Sequence, residues 1–547
     1  MRLLKVAAGV VNTTPLDWRG NAAAVLESIA AAREQGVGVL CLPEMCLCGY
    51  GCEDAFLSPG VVQTAWEVLA EVAPACEGIV VSLGLPIPFR NALYNCAALV
   101  ADGRLLGLAA KKFLAGDGIH YEPRWFKPWP REVVAELERD GGTWPLGDVY
   151  FEVGGVRIGF EICEDAWVAA RPGGALALKG VDIILNPSAS HFAFGKQEVR
   201  ERYVLEGSRA FGVTYVYANL LGNEAGRVIY DGGALIATGG KMAAIGPRLT
   251  FDRWRLTTAV VDLDLTRMQQ ARLSSFQPDL EERPEERVEA PFRYPASALE
   301  LAAPRRQAWE LAEQHREEEF TRAVALGLFD YLRKSRSHGF VVSLSGGADS
   351  AAVAVLVALM VELSWQEQGP EELRARLAHV PGLDEATAPP QLVERLLTTL
   401  YQATRNSTQA TREAARAVAS AVGARHLELD VEPLVSGYVQ LIEEALGRRL
   451  SWQSDDVALQ NIQARVRAPA AWLVANLRNA LLLATSNRSE AAVGYATMDG
   501  DTAGGLSPIA GIDKAFLRRW LGWMETSGPT GLRPVPELSA VTALPPT

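Results

Sequence analysis

Residues 339 to 356 read GFVVSLSGGADSAAVAVL, and no other stretch restricts the fold of this chain so tightly. An apolar run, Phe340 to Leu344, meets Ser-Gly-Gly-Ala-Asp-Ser and then an alanine- and valine-rich run. Strand, glycine turn, helix is the order of a buried parallel strand feeding a crossover helix. Glycines let the backbone approach a ligand, and amides at a helix N-terminus point at negative charge, so the turn is a candidate anion site. It is not a Walker loop, because no Gly-Lys-Ser/Thr follows at the required offset, and it lacks the three-glycine spacing of a dinucleotide fingerprint. Taken alone it could equally be a plain connection capped by Ser345 or Asp349.

A chain of 547 residues exceeds the roughly 250 to 300 at which single cores stop growing, so at least two domains are expected. Residues 1 to 275 alternate short apolar strands with helical segments and hairpin turns at Asp102-Gly103 and Gly154-Gly155. Residues 276 to 305 are charged and proline-punctuated, the composition of a linker. From 306 to 547 helices and strands alternate, the pattern of a doubly wound parallel sheet. No apolar run approaches the roughly 18 residues of a membrane span, and the start MRLLKVAAGVVNTT lacks a signal-peptide pattern. A cytoplasmic protein is expected. All seven cysteines (41, 46, 48, 52, 76, 96, 163) fall in the first third, an odd number that suits reduced thiols, and no histidine completes a zinc set around Cys46, Cys48 and Cys52. A net charge of −12 argues against nucleic-acid binding.

In the first half, Glu44, Lys111 and Cys163 each end an apolar strand-like run. Three reactive groups at strand ends can converge: a carboxylate to take a thiol proton, a thiolate nucleophile, and an ammonium for the oxyanion that follows. Singly, each has a structural reading: packing, a helix cap, a surface charge.

The hexapeptide SGGADS resembles the pyrophosphate loop of the N-type ATP pyrophosphatase superfamily. That resemblance implies an ATP site at Ser345, Gly346, Gly347, Asp349 and Ser350, with Asp349 a ligand of Mg2+. The segments LQNIQARVRAPAAWLVAN and LLLATSNRSEAAVGYATMDGDTAGGLSPIAGIDKAFLRRW resemble NAD synthetases. By that resemblance Thr485 lies near ATP, Glu490 near the metal and substrate, and Asn461, Arg465, Arg467, Asp501 and Lys514 near deamido-NAD. Two positions depart from the family pattern, Ser486 for glycine and Arg488 for lysine.

LPEM, KKFL and GFEICEDAW, with CGYGCEDAF, NPSASHFAFGK and GNEAGRVIYDGG, resemble the nitrilase-like amidohydrolases over most of residues 1 to 270. The resemblance implies an α-β-β-α sandwich and the roles just given for Glu44, Lys111 and Cys163. Lys111 rather than Lys112 fits the family spacing, because Leu114 stands three residues on. Glu122 matches the second glutamate, and Ser190 and Lys196 are candidates for the amino-acid end of glutamine. The sequence Leu-Ala-Gly-Asp after Lys-Phe resembles the branch containing eukaryotic-type enzymes.

Together the halves resemble glutamine-dependent NAD synthetase, which implies glutamine, ATP and deamido-NAD as substrates, Mg2+, no prosthetic group, no nucleic-acid or membrane partner, and a homo-oligomer with a sheltered ammonia passage. Related amidotransferases fit less well: Arg2 stands where an asparagine synthetase has cysteine, and no Gly-x-Cys-x-Gly elbow of a GMP synthetase occurs. The chain ends at GLRPVPELSAVTALPPT, where family members continue. The alternative expectation is therefore a nitrilase-type amidase whose second half, lacking the C-terminal segment, is a scaffold.

Overall fold

Valine, leucine and alanine in unbroken runs make strands buried on both faces, and Leu3–Val11 is one: seven of its nine residues are fully shielded. The computed structural model describes residues 1–281, 283–300 and 303–544. Two compact units emerge, Met1–Gln307 and Ala308–Thr547.

In the first unit an eight-stranded mixed sheet runs in the order 254–262, 3–11, 39–41, 80–89, 92–101, 104–110, 142–147, 134–139. A seven-stranded sheet runs 241–245, 234–238, 214–219, 183–188, 156–160, 150–153, 287–290. Their faces meet through strands 3–11, 39–41, 183–188 and 214–219, while helices Trp18–Glu34 and Pro59–Val72 cover the first sheet and Lys196–Ala210 the second. This is the expected α-β-β-α sandwich. Both hairpins turn where the sequence placed them, after Ala101 and after Val153.

The linker reading of 276–305 needs correction. Arg287–Ala290 pairs in parallel with Tyr150–Val153 as an edge strand, and the Tyr294 hydroxyl donates to the Val153 carbonyl at 3.0 Å. Four residues between prolines are too short to show a period, so composition alone read them as a tether. Residues 282, 301 and 302 of that stretch, and 545–547 of the C-terminal segment, lie outside the described residues.

The second unit is a four-stranded, all-parallel sheet in the order 425–430, 397–403, 340–343, 481–483. This unit starts as a single turn, Ala308–Leu311, and becomes α-helical over His315–Ser335. The helix after the glycine turn spans Ala348–Arg376, interrupted at Gly369, where φ is +78°. It is long and apolar enough to cross a membrane, which the run-length reading missed, but 78% of its most apolar window is buried inside the protein. Its apolarity is used by the core. All seven cysteines are buried free thiols.

Candidate active sites

Three strand ends of the first unit bring Glu44, Lys111 and Cys163 together. Glu44 lies three residues beyond Val39–Cys41, Lys111 directly follows Arg104–Ala110, and Cys163 opens a single helical turn three residues beyond Val156–Phe160. Lys111 Nζ donates to Glu44 Oε1 at 2.6 Å and to Glu122 Oε1 at 2.7 Å, with all three side chains shut off from solvent. The neighbouring Lys112 instead pairs with Asp148 at 2.9 Å, so Lys111 is the lysine in the cluster. Cys163 has a φ of +46°, a left-handed conformation that a side-chain-bearing residue adopts at a cost and that aims its side chain out of the strand direction.

The two carboxylates are set apart by what they accept. Burial, with the Glu122 charge, raises Glu44 to about 7 despite Lys111 and Asn95; its Oε2 accepts the Ala189 amide at 3.0 Å. Burial acts on Glu122 too, but Lys111, the Ala115 amide at 2.7 Å and the Tyr50 hydroxyl at 2.9 Å outweigh it and hold it below the usual range. Glu122 therefore stays charged, while Glu44 can exchange a proton near neutrality. Burial, reinforced by Glu44 and opposed by Lys111, pushes the Cys163 thiol up, so it rests protonated and requires a base.

Three supports carried no signal in the sequence. Asn95 Nδ2 donates to Glu44 Oε1 at 2.5 Å from the middle of strand Ala92–Ala101. Tyr50 opens the 3-10 helix Tyr50–Leu57 and packs beside Cys48 and Cys52. The Asp165 carboxylate accepts the amides of Lys112, Phe113 and Ile162 at 3.1, 2.8 and 3.0 Å, tying the lysine loop to the cysteine loop. Ser190 is buried and accepts from Arg200 Nη2 at 3.1 Å, while Lys196 stands at the rim, near enough for a Cys163 thiolate to favour its charged form. A cavity of about 360 Å³ lined by Tyr50, His120 and Tyr230 adjoins this cluster.

In the second unit the sheet order reverses between strands 340–343 and 481–483, and open α/β sheets bind ligands beyond the carboxyl ends at such a point. The glycine loop leaves one of these strands, Thr485 the other. Gly346 has a φ of +84°, and a Cβ there would lie 2.2 Å from the Thr411 carbonyl oxygen, so only glycine fits. Ser345 Oγ stands 3.1 Å from Ser350 Oγ and accepts the Gly347 amide at 3.3 Å, closing the loop on itself. Asn487 Nδ2 donates to Asp349 Oδ1 at 2.9 Å, and Lys514 bridges Asp349 and Glu490.

The residues expected around the dinucleotide are spread over three openings. Arg467 and Asp501 line a cavity of about 280 Å³ with Ser345 and Thr485, whereas Asn461 and Arg465 line a groove of about 760 Å³ between helices Glu432–Leu446 and Asp456–Leu477. Lys514 belongs to neither; it faces a third opening of about 570 Å³ with Gly346, Gly347 and Arg518.

Residues 5–273 match the carbon-nitrogen hydrolase family model and 320–537 the NAD synthase model. The glutamine-dependent NAD(+) synthetase of Oryza sativa subsp. indica is 33% identical over 96% of this chain and 75% of its own length. The chain belongs to the glutamine-dependent NAD(+) synthetases. The Homo sapiens member of that family is 32% identical over 95% of this chain and 78% of its own. The crystal structure of the Cytophaga hutchinsonii glutamine-dependent NAD(+) synthetase superposes with a TM-score of 0.82 at 43% identity, over 96% of this chain and 82% of that one. Family membership extends through the second half, so the scaffold alternative is not favoured.

Proposed function

We propose that the chain amidates deamido-NAD to NAD with ammonia taken from glutamine, consuming ATP and yielding AMP, pyrophosphate and glutamate. The observation that carries the first step is the fully buried Lys111 between Glu44 and Glu122 at 2.6 and 2.7 Å. Glu44 takes the Cys163 proton, the thiolate adds to the side-chain carboxamide of glutamine, and Lys111 offsets the charge on the tetrahedral oxygen. Glu44 returns the proton to the departing ammonia, then draws one from the water that hydrolyses the thioester. Ser190 and Lys196 are assigned to the amino-acid end.

At the second site the nicotinate carboxylate attacks the α-phosphorus of ATP and pyrophosphate leaves toward Ser345, Gly346, Gly347 and Ser350, whose amides and hydroxyls suit an anion. Ammonia then displaces AMP from the acyl adenylate. Thr485 lies on the ATP side; Asn461, Arg465, Arg467, Glu490, Asp501 and Lys514 are assigned to deamido-NAD. The donor chemistry fits Mg2+: Asp349 and Glu490 are two carboxylates close enough to share one ammonium, and this ion takes oxygen ligands from one or two carboxylates plus phosphates. Bound there, it would neutralise phosphate charge.

Two further assignments have support of a different kind. A homo-oligomer fits the apolar side chains Leu434, Leu441, Leu446, Leu473 and Leu477, all more than half exposed. A cytoplasmic setting fits seven free thiols. The test supplies ATP, Mg2+ and deamido-NAD with glutamine or with ammonium, to the native chain and to Cys163→Ala. The reading requires NAD from both donors and loss of only the glutamine route in the variant. Glutamate release without NAD or AMP from either donor would leave only the amidase.

A further inference from the structure

At the rim of the first site Lys196, assigned above to the amino-acid end of glutamine, is grouped with His120, His191 and Trp167, three rings to which the reaction gives no role. His120 Nε2 lies 2.8 Å from His191 Nδ1, so one ring donates, the other accepts, and a single proton serves the pair. Lys196 Nζ stands 3.2 Å from His191 Nδ1 and 3.4 Å from its Nε2. Near-equal separations from two nitrogens of one ring place the ammonium over the ring face, because the in-plane point equidistant from both would collide with Cε1. The same ammonium lies over the Trp167 ring, 5.4 Å from its centre. Lys196 opens the helix Lys196–Ala210, where a cation opposes the helix dipole, and it has no salt bridge among the described residues. Helix stability does not account for it.

We propose that His191 is a positioning residue: its uncharged ring face, held in orientation by His120, seats the Lys196 ammonium to meet the α-carboxylate of the amide substrate. The inference rests on reading the first site as a glutaminase. A ring face attracts a cation only while the ring itself is neutral, and the His120 contact occupies the in-plane nitrogen of His191. The surrounding charges agree. Burial, then Lys196, His120 and Arg200, bring His191 down to about 3 against Asp231. Burial, then Lys196, bring His120 down to about 4, with Lys111 acting in the same direction and Glu122 against it. Burial, then Arg200, bring Lys196 down to about 8 against Cys163, Asp231 and Glu164.

The experiment follows glutamate release by the full chain as a function of glutamine between about pH 6.5 and 9.5, a window bracketing the lysine. The native KM should rise above about pH 8 as Lys196 loses its proton, and Lys196→Arg, which does not titrate there, should flatten that rise. His191→Leu should raise KM about tenfold with kcat within about threefold, as expected for lost ground-state binding, and His191→Phe, which restores a neutral ring face, should return most of it. Unchanged KM in His191→Leu, a fall confined to kcat, or a phenylalanine variant as poor as the leucine variant would overturn the proposal. If His191→Leu does not fold, the His191→Phe variant and the Lys196→Arg pH profile decide. Native chain that releases no glutamate would remove the glutaminase reading itself; hydrolysis with wild-type KM in the variants would remove only this inference.

Discussion

Adding one methyl group to the glycine loop separates backbone strain from packing at the second site. At Gly346 the backbone has φ +84°, and the new Cβ would stand 2.2 Å from the Thr411 carbonyl oxygen. Left-handed backbone costs an alanine about 1–2 kcal/mol. Backbone oxygen has no flexible end to move aside, and overpacking of this kind costs about 1–3 kcal/mol more. Together these come to about 2–5 kcal/mol against the native loop, or roughly 30-fold to several thousandfold at 1.4 kcal/mol per decade. At Gly347, φ is −93° and the nearest atom to a new Cβ is the Ser345 hydroxyl at 3.3 Å. There only the poorer N-cap quality of alanine counts, about 1 kcal/mol, or fivefold. Ammonium-driven NAD formation at limiting ATP, with ATP affinity by titration calorimetry, reads both variants. Gly346→Ala within fivefold of the native chain, or Gly347→Ala falling equally far, would show that the loop does not depend on the Gly346 conformation.

Glutamate release at limiting glutamine should rise with pH through about 7, where Glu44 loses its proton and becomes a base; a flat profile from about pH 6 to 8 would exclude that assignment. The sign for stability is opposite: because folding raises the Glu44 value, its contribution is full below the free carboxylate range and is lost as pH rises through about 7, which denaturant titrations at two pH values would register. Arg200→Leu removes the guanidinium paired with buried Asp231 and leaves it the Arg248 guanidinium at 3.7 Å and the neutral donors Asn219 Nδ2 and the Gly233 amide at 2.8 and 3.2 Å; the loss should cost about 3 kcal/mol, seen as a thermal transition lowered by several degrees.

Much of both sites was legible because their chemistry sits where strands stop. Cys163, Lys111 and Glu44 each terminate an apolar run, and the glycine turn lies between a strand and a helix, so the sequence marks them by a change of pattern. Asn95 is invisible for the converse reason: it occupies a strand interior, and its contact with Glu44 arises only when strand 39–41 pairs with 80–89, some forty residues on, whose hairpin partner 92–101 carries the asparagine. The division of Arg465 from Arg467 was equally hidden. Two residues apart on a helix they point to different sides, a separation that motif spacing does not express. The edge strand 287–290 escaped because parallel pairing to 150–153 leaves no mark in four residues between prolines.

The first sheet begins with Leu3–Val11 at its second position and is closed beside it by 254–262, while the edge of the second sheet waits for 287–290. During synthesis the glutamate, lysine and cysteine are all present once residue 163 has been added, yet the first sheet lacks its last strand until residue 262 and the second until residue 290, 99 and 127 residues later. The order of translation thus acts as a delay: a nascent chain carries every reactive group of the first site long before it has the frame that holds them.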